Sequence, residues 1–93
     1  MKLASVSDMK IVLKKSRRLY KRDVYPSTKK GKKYMISDDQ GHWVHFGAID
    51  YEDFTKHKDK TRRKSYLARA THIRGNWRTN KFSPNRLAIS LLW

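Results

Sequence analysis

Lys33-Tyr34-Met35-Ile36-Ser37-Asp38-Asp39-Gln40-Gly41-His42-Trp43-Val44-His45-Phe46 is the stretch around which the rest of the chain must arrange itself. Its two flanks, 33–36 and 42–46, are short runs rich in aromatic and β-branched residues, which suit a pleated surface. Residues 37–41 between them are turn formers, and Gly41 suits a position with positive φ. The pattern predicts a β-hairpin. With a side-chain period of two, Tyr34 and Ile36 share one face, as do Val44 and Phe46. Gly47-Ala48 ends the second strand.

Toward the C-terminus the period changes. Asp59 is placed to cap a helix over residues 60–74, with Gly75 as its stop. Tyr66, Leu67, Ala70 and Ile73 fall on one face of it, and so do Arg63 and Arg74. Arginines on an apolar stripe need partners, and Asp50, Glu52 and Asp53 are the nearest in sequence, giving expected structural ion pairs. Ser83-Pro84 marks the start of a second helix, over 84–92, with Leu87, Ala88, Leu91 and Leu92 on one side. Trp93 after it is expected to be docked and to serve as an interface anchor.

Toward the N-terminus, Met9-Lys10-Ile11-Val12-Leu13 reads as a strand because its centre is β-branched. Basic residues dominate from there to Arg22. Residues 24–28 read as extended or turn, since Pro26 disfavours helix at Tyr25, and 29–33 as a solvated loop. The expectation is an α+β chain: a small antiparallel β-hairpin or three-stranded sheet followed by two helices. Residues 32–93 form its globular domain, and residues 1–31 a basic N-terminal arm containing one strand that pairs with the hairpin or extends onto a neighbour.

The composition narrows the function. The chain has 93 residues, 23 Lys+Arg, 8 Asp+Glu, a formal net charge of +15 and no cysteine. One small domain is all this length supports. Disulfides, thiolate nucleophiles and cysteine-ligated metals are excluded. No apolar run approaches the ~18 residues needed to span a bilayer, and the first residues lack the apolar core of a secretory signal. A cytosolic or nuclear setting is therefore expected. The 11 aromatic residues argue for a folded core and against full disorder.

Little points to catalysis. His42 and His45 lie three apart on a strand and so face opposite ways, a poor metal pair. His57 lies between Asp53 and Asp59, where a polar residue at a helix start is the simpler reading. Asp50, Glu52 and Asp53 are read as charge balance for arginines rather than as an acid–base or magnesium cluster. The four glycines are too scattered for a phosphate loop. No cofactor, metal or catalytic residue is expected, and His72 has no assigned role.

The basic residues carry the stronger signal. Lys14, Lys15, Arg17, Arg18, Lys21 and Arg22, then Lys29, Lys30, Lys32 and Lys33, form the candidate surface for an anionic partner. A second candidate cation face is the outward side of the 60–74 helix, with Lys60 and Lys64. Residues 1–33 hold 12 Lys+Arg against 2 acids. Tyr20, Tyr25 and Trp43 could stack on unpaired bases, and Tyr20 and Tyr25 are also candidate interface anchors. Phe46, Tyr51, Phe54, Tyr66 and Trp77 read as core. Helix-turn-helix, zinc-finger and RNA-recognition signatures are missing, so base-specific readout has no support.

Taken together, Lys32-Lys33-Tyr34, His45-Phe46-Gly47-Ala48, Tyr51, the run from Asp53 to Asp59, Arg62-Arg63, Tyr66-Leu67-Ala68-Arg69, Trp77, Ser83-Pro84-Asn85 and Leu91-Leu92-Trp93 resemble a group of small basic proteins. These are encoded by large nucleocytoplasmic DNA viruses, including those of algae and amoebae. The resemblance covers residues 32–93 and is most specific from Phe46 to Asp59. Many members have a histidine after the Ala-Arg pair, where this chain has Ala70. The resemblance implies a viral origin, no established activity and a non-enzymatic protein. The expected role is structural, as a minor capsid or assembly protein of the virion that docks on acidic surfaces of other virion proteins. The alternative is a sequence-independent nucleic-acid-binding protein that coats or condenses the viral genome, with DNA or RNA as partner. Either would be made in host cytoplasm or nucleus and end in the particle.

Overall fold

A computed structural model describes residues 2–93. The hairpin forms as the pattern predicts, as the second and third strands of a three-stranded antiparallel sheet whose strands lie in chain order. These strands are β1 (Tyr25–Pro26), β2 (Lys32–Ser37) and β3 (Trp43–Ala48). Tyr34 pairs with Phe46 and Ile36 with Val44. Asp38 makes the turn. Its Oδ1 accepts from the N–H groups of Gln40 (2.8 Å) and His42 (2.9 Å), and Gly41 takes φ +80°. β1 holds the edge, where the missing N–H of Pro26 breaks no ladder. Tyr34, Ile36 and Phe46 are fully buried in the core.

The first helices are a short turn, α1 (Leu3–Val6), and α2 (Met9–Tyr20). The strand expected over 9–13 is therefore a helix. Asp8 Oδ1 caps it through the N–H groups of Lys10 (3.1 Å) and Ile11 (3.5 Å). Val12, Ser16 and Tyr20, spaced four apart, are its buried stripe. The helical period over twelve residues outweighs the β-branched pair at 11–12. The basic arm changes with it. Val6, Val12, Tyr20 and Val24 are buried, and Val12, Tyr20 and Val24 share one cluster with Tyr34, Phe46, Leu87 and Leu91. Side chains from residues 3–24 thus contribute to the one core, across the boundary expected at 31–32.

Asp53 caps α3 (Phe54–His57), and Asp59 caps α4 (Lys60–Ala70) as expected. α4 stops four residues early. Thr71 Oγ1 donates to Leu67 O (2.6 Å), and Asn85 Nδ2 donates to Ala70 O (3.1 Å), so side chains take the last carbonyls. Residues 71–82 run as turns to α5 (Pro84–Leu87), capped by Ser83. α5 continues as a π-helical segment, Ala88–Leu92, where Trp93 N–H donates to Ala88 O at 3.2 Å. Leu87, Leu91 and Leu92 are buried. Gly47 (φ +83°) lets this segment close on the sheet, because a Cβ there would meet Leu92 Cδ1 at 2.8 Å.

A buried polar chain ties these parts together. Lys33 Nζ donates to Asp53 Oδ2 at 3.1 Å, with the two side chains 3% and 0% exposed. Thr55 donates to Asp53 Oδ1 from both N–H and Oγ1. Asp8 N–H donates to Thr55 Oγ1 (2.9 Å), Ser7 Oγ lies 3.2 Å from it, and Tyr34 OH donates to Ser7 Oγ (2.8 Å). Burial pushes the Lys33 ammonium below its ordinary pKa, against the pull of Asp53. Asp53 is thus committed to Lys33 and to neither of the arginines expected to pair with it. Arg63 lies on the exposed side of α4, with its guanidinium 5.4 Å from the Phe54 ring centroid and its Nε donating to Trp93 O (2.6 Å). Arg74 lies beyond the end of α4, off its face. Among the described residues Asp50 and Glu52 have no cation within 4.0 Å.

Two stability predictions follow from this chain of bonds. Lys33→Met leaves Asp53 buried without its counter-charge and should cost about 3–5 kcal/mol in urea unfolding; a loss under about 1 kcal/mol would mean the pair is not buried as described. Tyr34 should drive alkaline unfolding. Burial pushes its hydroxyl from 10.0 up to about 12. The folded value is the higher one, so its contribution is whole below pH 10 and is lost as pH rises through about 12. The two units amount to about 3 kcal/mol. In Tyr34→Phe that alkaline step should flatten, as followed by circular dichroism against pH.

Candidate functional site

The two longest helices present the cations. On α2, Lys14, Arg17 and Arg18 are exposed and Lys15 is half-buried. Burial, then the nearby Arg63, holds Lys15 below its ordinary pKa. α4 carries Lys60, Arg62, Arg63, Lys64 and Arg69, no acid, and a single buried residue, Ala70. Lys60 and Lys64 sit one turn apart, where like charges cost ~0.2–0.5 kcal/mol per pair. Lys10 and Lys60 also lie at the positive ends of their helix dipoles. The aspartate caps Asp8 and Asp59 offset this locally.

The other expected cations divide. Lys21 is exposed and ends α2 in the left-handed region (φ 60°). Lys29 and Lys30 are exposed on the β1–β2 connection, and Lys32 is half-buried. Arg22 is a clamp rather than a free charge. It donates to Ser37 O (2.8 Å) and Asp39 Oδ1 (2.7 Å), and its guanidinium lies 4.9 Å from the Phe82 ring centroid. Arg17 pairs with Asp23 at 2.6 Å on the surface. Lys33 is removed from the candidate surface by its burial on Asp53. Among the described residues, Arg17, Arg22 and Lys33 are the Lys and Arg side chains within 4.0 Å of a carboxylate.

The aromatic residues also divide. Tyr20 is 5% exposed, and its OH sits 2.8 Å from Ser90 Oγ, so it belongs to the core instead of an interface. Tyr25 and Trp43 are about half exposed and pack edge to face, centroids 5.7 Å apart, on the sheet's outer face. Trp93 is docked on its own chain, stacked on Tyr66 at 4.2 Å with rings 10° apart. Phe46 is core, whereas Tyr51 is 68% exposed.

The histidines stay apart, and among the described residues no three His, Asp or Glu side chains gather around a common point. His45 Nδ1 lies 2.6 Å from Ser27 Oγ, and His57 Nδ1 accepts from Asp59 N–H (2.8 Å) at the start of α4. Burial holds the His57 imidazole below its ordinary pKa. Among the described residues no helix is long and apolar enough to cross a membrane.

Several elements escape the hydrophobic pattern. Thr55 and Ser7 join the buried chain although nothing apolar marks them. Asp8 and Asp53 are signalled by the rule that an Asp before a helical run caps it. Arg62 and Arg69, on the Tyr66 side of α4, are marked only by their spacing of four and three from it.

These features define a small α+β protein with a three-stranded antiparallel sheet and a surface of unpaired cations. The chain belongs to a family of unknown function, DUF5754, whose model matches residues 23–70. That span holds the whole sheet, both members of the Lys33–Asp53 pair and α4, and leaves out α2 and the terminal helix. No curated protein and no solved structure matches the chain.

The different fates of the two tyrosines can be measured. Tyr20→Ala should cost about 3–5 kcal/mol as a core truncation. Tyr25→Ala should stay within about 0.5 kcal/mol of the parent in thermal unfolding. Equal losses would contradict this division.

Proposed function

We propose that this is a non-enzymatic nucleic-acid-binding protein of a large DNA virus particle, which binds without regard to base sequence. The observation that carries the reading is α4, a helix with five cations, no acid and one buried residue. Such a helix gains little from its own packing and carries internal repulsion, which phosphates would relieve with release of their counterions. α2 adds Lys14 and Arg18, and the β1–β2 connection adds Lys29 and Lys30. The Tyr25–Trp43 pair offers ring faces on which bases stack whatever their identity.

A second reading keeps the protein in the particle shell, docked on acidic surfaces of other virion proteins. The same exposed Tyr25–Trp43 pair favours it as a contact of amphipathic rings. The strand that this role would extend onto a neighbour's sheet loses support because residues 9–20 are helical. The viral setting rests on the resemblance of residues 32–93 to virus-encoded proteins.

Fluorescence anisotropy with random-sequence DNA should show binding at near-physiological salt. Replacing Lys14, Arg18, Lys60 and Lys64 with Gln should reduce the slope of log K against log salt by about 3. An unchanged slope, or no binding, overturns the proposal. Gentle opening of particles separates the two readings: the protein leaves with the nucleic acid under the first and with the shell under the second.

A further inference from the structure

A hollow of about 440 Å³ opens between α4, the end of β3 and the terminal π-helical segment. We infer that it is a pocket for one unpaired nucleobase carrying an exocyclic amino group, with Glu52 as the acceptor and Tyr51, Tyr66 and Trp93 as its aromatic walls. The inference rests on the nucleic-acid reading and sharpens it, because it adds one base-selective pocket to a surface that otherwise takes phosphates and stacks bases whatever their identity.

The volume falls within the ~300–1,000 Å³ typical of small-molecule sites. Its character is mixed. The stacked Tyr66–Trp93 pair provides a rigid flat wall. Tyr51 lines the same hollow, is 68% exposed and has no aromatic neighbour among the described residues, so its ring is free to close over a bound base. Leu92 forms part of the floor, held against Gly47. The wall is built by parts of the fold already fixed: α4, and a terminal segment whose Leu91 and Leu92 are core.

Two polar groups set the ligand class. Glu52 is half-buried at the rim and has no cation within 4.0 Å among the described residues. Lys33 also lines the hollow, but its ammonium is spent on Asp53. A carboxylate accepts from the exocyclic amino groups of cytosine, adenine or guanine, whereas thymine has no amino group and offers only its ring N3–H, flanked by two carbonyl oxygens that a carboxylate repels. Arg69 lines the hollow and is exposed. Arg62 and Arg69 stand one turn to either side of Tyr66 on α4. They are placed to take the phosphates that flank the held base. The ligand is thus an amino-bearing base with phosphate beside it, supplied by a single strand or by a free mononucleotide.

The test uses the full chain. Oligo(dC) should bind about tenfold more tightly than oligo(dT), and Glu52→Gln, whose amide can face thymine, should level that preference without changing the salt slope. An oligo(dT) with one central 2-aminopurine should be quenched by the parent and several-fold less by Tyr51→Ala, a surface change that spares the core. Equal binding of the two oligonucleotides by the parent, or equal quenching by Tyr51→Ala, overturns the pocket while tight binding to both leaves the polyanion reading standing. If neither oligonucleotide binds but cytidine monophosphate quenches Trp93 in a Trp43→Phe/Trp77→Phe background, the pocket holds as a mononucleotide site and the polymer reading falls. If neither ligand acts, both fall.

Discussion

The Lys33–Asp53 pair constrains more of this structure than any other contact. Asp53 caps α3, holds Thr55 and receives Lys33 from the middle of the sheet. Thr55 in turn reaches back to Ser7 and Asp8, where α2 begins. A buried ion pair is a poor source of net stability, since the cost of removing both charges from water often exceeds their attraction. Its effect here is on arrangement. A slip of one residue in β2 would exchange Lys33 for Tyr34, exposing a core ring and stranding Asp53. The hairpin register and the seat of the N-terminal helix are thus set by one group of polar atoms.

That group also shows why part of the fold was legible and part was not. The hairpin announced itself because turn chemistry and period-two pattern agree over 33–46. The α4 and α5 starts were legible from Asp59 and Ser83-Pro84, which carry the caps. The partner of Asp53 was not. Lys33 closes a run of cations at 29–33 that reads as solvated, and its mate lies 20 residues away. Charge balance pointed to Arg63 and Arg74 instead, yet Arg74 lies past a helix end set by Thr71 and Asn85. The error at 9–13 has another cause. Two β-branched residues dominate a five-residue window, while the buried positions 12, 16 and 20 show their period only over twelve.

The candidate surface was legible by residue type and much less by position. Cation counts suggest an anionic partner but cannot say that Arg22 clamps the Asp38 turn or that Lys33 is buried. Tyr20 and Tyr25 look alike in sequence, five residues apart, and end in opposite environments. The hollow beside α4 was invisible, because Tyr51, Glu52, Tyr66 and Trp93 meet only after three separate elements have packed.

Folding the first third of the chain into the core changes what its charge can do. A disordered arm could follow any acidic contour but would lose its backbone freedom on binding, at roughly 1–2 kcal/mol per ordered residue. In α2 that freedom is already gone. Lys14 and Arg18, one turn apart, are held at a fixed spacing by the same Val12–Ser16–Tyr20 stripe that fills the core. The half-buried Lys15 shows the cost, since burial first, and then Arg63 on α4, disfavour its charge. The spacing of these cations is thus set by a buried scaffold that does not depend on their charges. A rigid cationic surface of this kind matches a partner with regularly repeated negative charge, and a phosphate backbone has that repeat in a way an acidic protein patch does not.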